Sequence, residues 1–239
     1  MFEMDEGYYY GIGAFETILV KDGKPVFIME HIQRLNIALE YLQINKKITP
    51  DEVREFLSIN KIVEGVLKIS VSEKNTNYTT RKNPYTIDKY QKGFQLTLSS
   101  FRRNETSPLT YHKTLNYAEN IIARQEAIQR NYDEALFLNT KGEICEGSCS
   151  NIFFVKEGQL FTPSISCGLL PGIFRNHICA NENVVECIIT KDDIKKFDEC
   201  FITNSILGVM KVIKLGDCDY HSDTYTEAIR NKYKAYLGT

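Results

Sequence analysis

Hydrophobic positions recur along the chain with two different spacings, and these spacings predict alternating strands and helices. Residues 15–20 are rich in β-forming side chains, and Asp22 and Gly23 suit the turn of a hairpin that returns through residues 25–28. From residue 29 to residue 42 the apolar positions follow helical spacing. The chain therefore opens with a hairpin followed by an amphipathic helix.

Further elements follow from the same spacings and from signals at element ends. Thr49 is a suitable helix cap, with Pro50 in the first turn and Glu52 three residues beyond the cap. We expect later helices at 117–130, 171–180 and 223–237, and strands at 66–71, 94–99, 134–139, 152–155, 159–162, 184–189, 199–203 and 209–213.

Two polar segments interrupt this pattern and suggest how the chain is organised. Residues 72–89 are expected to form an exposed loop. Residues 102–108 are polar and contain a proline, which makes them the best candidate for a linker. The prediction is an α/β (α+β) protein with a small N-terminal domain at 1–103, a linker at 104–111 and a larger domain at 112–239.

Composition and charge narrow the classes of function. The 239 residues are 43% hydrophobic and 25% charged, as in ordinary globular proteins. A formal net charge of −2 gives no general attraction to nucleic acid, and no apolar run approaches the ~20 residues of a membrane helix. The seven cysteines and four histidines lack the spacing of a disulfide framework or a metal site, so no metal is expected. The acidic N-terminus lacks the pattern of a signal peptide, and we expect a cytoplasmic protein.

Two charged residues stand in settings that suggest chemistry. Lys113 is predicted at a helix N-terminus, where the helix dipole opposes a cation and favours the neutral amine that attacks an aldehyde. Glu146 is followed by four small residues, so a partner can pack closely against the backbone, and its carboxylate could face a pyridine nitrogen. Taken singly, a solvated lysine and a tight turn are the simpler interpretations.

Three further groups could bind a phosphate. Gly172-Ile173-Phe174 follows a proline at a predicted helix start, where backbone N–H groups suit an anion. Thr203-Asn204-Ser205 ends an apolar strand with hydroxyl and amide donors. Arg34 lies in a predicted helix and, if buried, could clamp a phosphate with its guanidinium. Helix initiation, a turn and a solvated arginine are the alternatives when each group is considered alone.

The order of these motifs is more specific than any one of them. From the N-terminus the sequence contains Gly-x-Gly-x-Phe-Glu, His-x-x-Arg-Leu, Lys-x-x-Asn-Tyr, Glu-Gly-x-x-Ser-Asn-x-Phe, Leu-x-Thr-Pro and Leu-Pro-Gly-Ile. Over residues 10–212 this series resembles the class IV (fold type IV) pyridoxal phosphate family. The resemblance implies a two-domain fold with a larger C-terminal pseudo-barrel domain, pyridoxal 5'-phosphate as cofactor, a small-molecule substrate and a homodimer.

The resemblance also implies roles for individual residues. Lys113 would carry the cofactor covalently and shuttle protons, and Glu146 would pair with its ring nitrogen. Tyr117 would contact the ring hydroxyl. In a lyase reaction Thr17 would assist proton delivery, and a structural strand threonine is the alternative. The cofactor phosphate would be bound by Arg34, Ile173, Phe174, Asn204 and Ser205.

Within the family, Gly13 to Thr17 and the segment that begins with Thr203 look like the 4-amino-4-deoxychorismate lyases of folate synthesis. The expected reaction yields 4-aminobenzoate and pyruvate. An aminotransferase acting on branched-chain or D-amino acids is the alternative, because fold alone does not settle the reaction. A non-catalytic relative is disfavoured by the intact Lys113. The family's Arg-Gly pair is absent after the strand at 66–71, which leaves Arg81 as a possible carboxylate partner or a solvated arginine.

Overall fold

The hairpin predicted at the start of the chain opens a four-stranded antiparallel sheet. The computed structural model describes residues 2–238. The strands of this sheet are β1 (Gly13–Lys21), β2 (Lys24–Pro25), β3 (Gly65–Ser72) and β4 (Thr76–Arg81), in the order β2–β1–β3–β4. Side chains alternate across β1, so Ala14 and Ile18 enter a buried apolar core while Phe15 and Thr17 lie on the opposite face.

Helices supply the other half of that apolar core. A short helix, α1 (Glu6–Tyr10), precedes β1. The predicted amphipathic helix is α2 (Ile28–Tyr41), which buries an apolar stripe including Leu35 and Leu39. The helix α3 (Pro50–Ile59) begins at the predicted capping box, in which Thr49 and Glu52 each accept a hydrogen bond from the other's backbone N–H.

The second sheet has nine strands and is mixed, with both parallel and antiparallel pairs. Its strands are β5 (Phe94–Arg103), β6 (Glu134–Asn139), β7 (Ile144–Gly147), β8 (Asn151–Lys156), β9 (Gln159–Pro163), β10 (Val184–Cys187), β11 (Glu199–Asn204), β12 (Gly208–Leu215) and β13 (Cys218–Asp219). The strand order is β10–β9–β8–β11–β12–β5–β6–β7, with β13 paired to β12. Every residue of β6 is buried, which explains its nearly continuous apolar sequence.

Four helices accompany this sheet. They are α4 (Ile87–Lys92), α5 (Ala118–Gln129), α6 (Ile173–Asn181) and α7 (Thr224–Tyr236). Ala123 and Ala127 of α5 pack with Phe137 in an apolar cluster, and α7 contacts β11 and β12. No helix within residues 2–238 has the length and apolar character needed to cross a membrane.

The chain divides into two compact units whose limits differ from the expected domain limits. The first unit comprises Met1–Pro84 and His112–Tyr117, and the second comprises Tyr85–Tyr111 and Ala118–Thr239. The first division comes earlier than expected because β5 pairs in parallel with β6 and β12 in the second sheet. The expected linker at 104–111 lies in the second unit and includes a short 3-10 helix, Pro108–Tyr111.

The expectation of a polar loop over residues 72–89 is wrong. Thr76–Arg81 forms β4, paired in register with β3, and Ile87–Lys92 forms α4. Most side chains of β4 are exposed because it is the edge strand of the first sheet, and such a strand lacks the apolar alternation that marks a half-buried one. The hydrophobic pattern therefore gave no signal for it.

A buried carboxylate fastens the N-terminal segment to the turn between β3 and β4. Asp5 caps α1 by accepting the Tyr8 N–H at 3.2 Å, and it also accepts the Ser72 hydroxyl at 2.6 Å and the Lys74 N–H at 2.9 Å. The Asn75 amide donates to it at 3.1 Å. Burial raises the pKa of Asp5, but these hydrogen bonds outweigh burial and lower it to about 2.

We expect Asp5→Ala to lower the free energy of unfolding by about 1 kcal/mol at neutral pH, the usual cost of a lost helix cap. The pKa of Asp5 lies below its ordinary value of 3.8, so its contribution is complete above that pH and is lost as pH falls through about 2. Urea unfolding at neutral pH and near pH 3 should therefore show a smaller difference from wild type under acid. Glu6→Ala, an exposed neighbour in the same helix turn, is the control. An equal loss in both variants would contradict the assignment.

Candidate active site

Lys113 lies on an extended segment that pairs with β1. The Phe15 N–H donates to the Lys113 carbonyl at 2.9 Å, and the Leu115 N–H donates to the Gly13 carbonyl at 2.8 Å. Gly13 permits this close approach, because a Cβ at that position would lie 2.5 Å from the Leu115 side chain. The prediction that Lys113 begins a helix is wrong, since α5 starts at Ala118 and the backbone bonds of Lys113 go to a strand.

The ammonium of Lys113 is placed against two aromatic rings. Its Nζ lies 4.3 Å from the centroid of the Phe15 ring and 4.7 Å from that of Tyr117. The two rings meet edge to face, with centroids 5.0 Å apart. Cation–π attraction holds the side chain over the face of β1 that also carries Thr17. Three of the predicted site residues, Thr17, Lys113 and Tyr117, therefore share one face of the first sheet.

Arg34 lies on the opposite, helix-covered side of β1. It donates from Nε to one oxygen of Glu16 at 2.7 Å and from Nη2 to the other at 2.8 Å, and His31 Nδ1 lies 2.6 Å from the second oxygen. Burial raises the pKa of Glu16, but its interactions with Arg34 and His31 outweigh burial and hold that pKa well below the usual range. A buried carboxylate therefore fixes one edge of the Arg34 guanidinium.

Neither Glu16 nor His31 was among the predicted site residues. The signal was present in the sequence, because Glu16 interrupts the apolar positions of β1 and His31 lies one helical turn before Arg34. A charge on the buried face of a strand requires a partner on the element that covers it.

Glu146 is buried at the end of β7. One carboxylate oxygen lies 3.1 Å from Nη2 of Arg103, and the other accepts the Leu170 N–H at 3.1 Å. The guanidinium of Arg103 stacks over the Phe137 ring at 4.0 Å. Sequence reasoning placed Arg103 in a polar linker and missed this ion pair, because the pairing joins strands that are distant in sequence.

The turn that follows Glu146 is tied to another buried carboxylate. Glu134 accepts the N–H and the hydroxyl of Ser148, and it lies 3.1 Å from the thiol of Cys149 and 3.3 Å from the hydroxyl of Ser150. The small residues after Glu146 are thus explained by a tight turn wrapped around one carboxylate. Glu134 was missed as a functional residue, although it is a charge that opens an otherwise apolar strand.

The start of α6 has the features of a phosphate site. The helix begins at Ile173. Its cap residue is Gly172, which has no side chain to accept a hydrogen bond, and its first turn carries no acidic residue. A Cβ on Gly172 would overlap the side chain of Asn151, so only glycine allows this packing. Ile173 and Phe174 therefore present backbone N–H groups at a helix N-terminus, where an anion is favoured.

Thr203 provides a buried hydroxyl on the strand next to that of Asn151. Thr203 pairs with Asn151 across β11 and β8 and is fully buried, and its Oγ1 has no hydrogen-bond partner among residues 2–238. An unsatisfied buried hydroxyl is costly unless a ligand or water completes it. This donor, with the uncapped N-terminus of α6, fits a phosphate group.

The side chain of Asn204 makes three hydrogen bonds within the second unit. Its carbonyl oxygen accepts the N–H groups of Ile206 and Leu207, each at 2.8 Å, and its amide donates to the Cys149 carbonyl at 3.0 Å. The side chain thus shapes the turn after β11 and joins it to the turn after Glu146. Ser205 is half-buried within this Asn204 turn.

The predicted residues therefore fall into two groups. Thr17, Arg34, Lys113 and Tyr117 belong to the first unit, with Arg34 on the other side of β1 from the remaining three. Glu146, Ile173, Phe174, Asn204 and Ser205 belong to the second unit.

Comparison with known proteins identifies relatives of this arrangement. The family model described as amino-transferase class IV matches residues 13–215. The aminodeoxychorismate lyase of Bacillus subtilis is 28% identical over 258 residues, covering 96% of this chain and 87% of the relative. A proposed branched-chain-amino-acid aminotransferase of Methanocaldococcus jannaschii is 30% identical over 233 residues, covering 88% of this chain and 81% of the relative.

Solved structures agree with these sequence relatives. A proposed 4-amino-4-deoxychorismate lyase from Legionella pneumophila superimposes with a TM-score of 0.86 at 28% identity, covering 98% of this chain and 95% of that one. A fold IV transaminase from Curtobacterium pusillum gives a TM-score of 0.84 at 21% identity, covering 95% of this chain and 87% of that one. This similarity confirms the predicted fold class. The chain belongs to the class IV aminotransferase family.

Proposed function

We propose that this protein is a pyridoxal 5'-phosphate-dependent lyase that converts 4-amino-4-deoxychorismate to 4-aminobenzoate and pyruvate in folate biosynthesis. The observation that carries the proposal is Lys113, which strand pairing and two aromatic rings hold on one face of β1 together with Thr17. The similarity to lyases from Bacillus subtilis and Legionella pneumophila supports the choice of reaction.

The side chains present suit each part of that cofactor. When bound, pyridoxal phosphate supplies a protonated ring that withdraws electrons from the carbon bearing the substrate amine. Lys113 would hold its aldehyde carbon, Tyr117 its ring hydroxyl and Glu146 its ring nitrogen. Arg103 keeps the Glu146 carboxylate in place through their ion pair. The cofactor phosphate would be held by Arg34 and by Ile173, Phe174, Asn204 and Ser205. The buried hydroxyl of Thr203 in the second unit is a further donor.

Lys113 and Thr17 then move the protons. Lys113, displaced by the substrate amine, takes the proton from the amine-bearing ring carbon. The electron pair of that carbon–hydrogen bond expels the neighbouring enolpyruvyl oxygen, and the ring becomes aromatic as the carbon–oxygen bond breaks. The departing enol gains a proton on carbon to become pyruvate, and Thr17 lies on the same strand face to relay it.

An aminotransferase is the second candidate, and the Methanocaldococcus jannaschii relative favours it. Both reactions begin with the same proton transfer to Lys113. They would differ afterwards, because in an aminotransferase Lys113 would deliver that proton again and no leaving group would be expelled. Branched-chain and D-amino acids are the amino donors to consider.

We also propose that the protein acts as a homodimer. The helix α5 exposes Ile121, Ile122 and Ile128, which are 50%, 42% and 54% accessible. Ile121 and Ile128 lie two helical turns apart on one face of α5, where a second copy of the chain would cover both. Sedimentation of the purified protein measures the state directly.

The first expected outcome concerns Lys113. Protein loaded with pyridoxal phosphate should be yellow, and borohydride should bleach the colour and fix the cofactor onto Lys113, as peptide mapping would show. Lys113→Ala should lose the reducible link because it removes the amine that would hold the aldehyde carbon. Lys195→Ala, on a short exposed 3-10 helix, serves as the control. A reducible link that persists in Lys113→Ala would overturn the assignment.

The second expected outcome separates the two reactions. Coupled to an aminodeoxychorismate synthase, the protein should release 4-aminobenzoate and pyruvate in equal amounts. Incubation with 2-oxoglutarate and either leucine or D-alanine should give no comparable formation of glutamate. Glutamate without 4-aminobenzoate would show that the aminotransferase is the correct alternative.

The third expected outcome concerns the carboxylate behind Arg34. Glu16→Gln keeps the size of the side chain but removes the charge that orients the guanidinium, so the Kd for pyridoxal phosphate should rise roughly tenfold or more. Titration followed by absorbance measures it. Pyridoxal, which lacks the phosphate, should bind both proteins equally. A similar loss for pyridoxal would show a general defect of folding.

A further inference from the structure

The residue that precedes Lys113 contacts the helix that carries Arg34. The ring of His112 stacks on that of Tyr41, the last residue of α2, with centroids 4.4 Å apart and planes inclined by 20°. Lys113 itself contacts Phe15 on the outer face of β1, the side away from α2. Two neighbours in sequence therefore reach in two directions, and His112 ties the segment that carries Lys113 to α2.

Helix α2 carries the contact to His112 and the candidate phosphate cation on one stripe. Arg34 lies two helical turns before Tyr41, so the two side chains project from nearly the same side of the helix. An α-helix is stiff over that length because each backbone N–H in it is bonded to the preceding turn. The stack at Tyr41 therefore also fixes where Arg34 lies relative to the Lys113 segment.

A second connection between Lys113 and Arg34 runs through β1. The Lys113 carbonyl accepts the Phe15 N–H at 2.9 Å, and the next residue of β1, Glu16, accepts hydrogen bonds from Arg34 at 2.7 and 2.8 Å. The Lys113 segment, β1 and α2 thus form a closed ring of contacts within the first unit. A short strand pairing alone lets a segment twist about its partner, and the stack with Tyr41 opposes that twist.

A rigid ligand that is held at two points requires a fixed spacing between the groups that hold it. In pyridoxal phosphate the aldehyde and the phosphate arm are on neighbouring carbons of one ring. An amine and a guanidinium that hold both must therefore keep one separation. When that separation is set in advance, attachment at one point raises the effective concentration at the other, and less freedom is lost on binding.

We propose that His112 and Tyr41 are positioning residues, whose stack sets the spacing between Lys113 and Arg34 for a cofactor held at both. The inference rests on the proposed function, because it takes Lys113 as the residue that holds the aldehyde and Arg34 as a residue that holds the phosphate. The two rings act through the elements that they join, the Lys113 segment and α2.

The stack is a contact between two uncharged rings at neutral pH. Burial lowers the pKa of His112 below its ordinary value of 6.5. A phenyl ring can therefore take the place of the imidazole, and His112→Phe should preserve the contact, as should Tyr41→Phe. Aromatic pairs of this kind change an equilibrium constant by roughly two- to tenfold, which sets the size of the effect to be measured.

Ligand titrations of the full-length protein, followed by absorbance, test the proposal. His112→Ala and Tyr41→Ala should each raise the Kd for pyridoxal phosphate roughly two- to tenfold. Pyridoxal, and inorganic phosphate measured by competition, each use one attachment point, so their Kd values should stay within about twofold of wild type. The double variant should bind pyridoxal phosphate no more weakly than either single variant, because both remove the same contact. His112→Phe should bind it as wild type does.

Tyr78→Ala is the matched control. Tyr78 of β4 stacks on Phe56 of α3 with centroids 4.8 Å apart and planes inclined by 23°, which is the same kind of contact in the same unit. This variant should lose stability in urea to a degree comparable with His112→Ala, and it should keep wild-type affinity for pyridoxal phosphate.

The pattern across the three ligands separates this proposal from the proposed function. Equal losses for pyridoxal phosphate and pyridoxal in His112→Ala, or unchanged affinity for all three ligands, would overturn the positioning role and leave Lys113 as the attachment residue. The expected pattern in a protein that makes no 4-aminobenzoate would support the positioning role and overturn the reaction. A wild type that forms no reducible link with pyridoxal phosphate would overturn the cofactor assignment and the positioning role together.

Discussion

The short pairing between β1 and the segment that carries Lys113 is the constraint on which the rest of the arrangement depends. Two backbone hydrogen bonds, from Phe15 to Lys113 and from Leu115 to Gly13, hold a segment that lies far along the chain from β1. Because strand side chains alternate, this register decides which side chains of β1 can meet Lys113. A shift by one residue would present Glu16 in place of Phe15 and Thr17, and would put a carboxylate beside the lysine.

The same strand separates two electrostatic environments. On its covered face Glu16, His31 and Arg34 form a buried cluster in which the carboxylate and the guanidinium compensate each other. Burying an ion pair costs desolvation, and it persists only with good geometry, which the two contacts to Arg34 supply. On its other face the side chains of Lys68 and Lys113 both contact the Phe15 ring. The buried ion pair thus occupies one face of β1, and the lysine proposed to hold the cofactor lies on the other.

The sequence predicted the local elements well and the long-range ones poorly. Periodicity and capping identified α2 and the start of α3, because those signals lie within a few residues of each other. The hydrophobic periodicity did not predict β4, whose edge position leaves its side chains in water, or β7, which has only four residues. The motif order pointed to Lys113 and Glu146, but Lys113 was assigned to a helix start. Strand pairing across the chain decides that point, and no local pattern records it.

The partners of the candidate residues were hidden for the same reason. Arg103 forms an ion pair with Glu146, and Glu134 accepts hydrogen bonds from the turn that follows Glu146. Both sets of contacts join different strands or turns of the sheet. The Asn204 side chain adds another contact that no local pattern predicted, because its carbonyl oxygen closes the turn after β11. In the second unit the groups suited to phosphate are then mainly backbone N–H groups, which many sequences can supply. Thr17 and Tyr117, by contrast, are side chains that share the outer face of β1 with Lys113. Differences between lyases and aminotransferases on this fold should therefore be sought on that face before the phosphate loops.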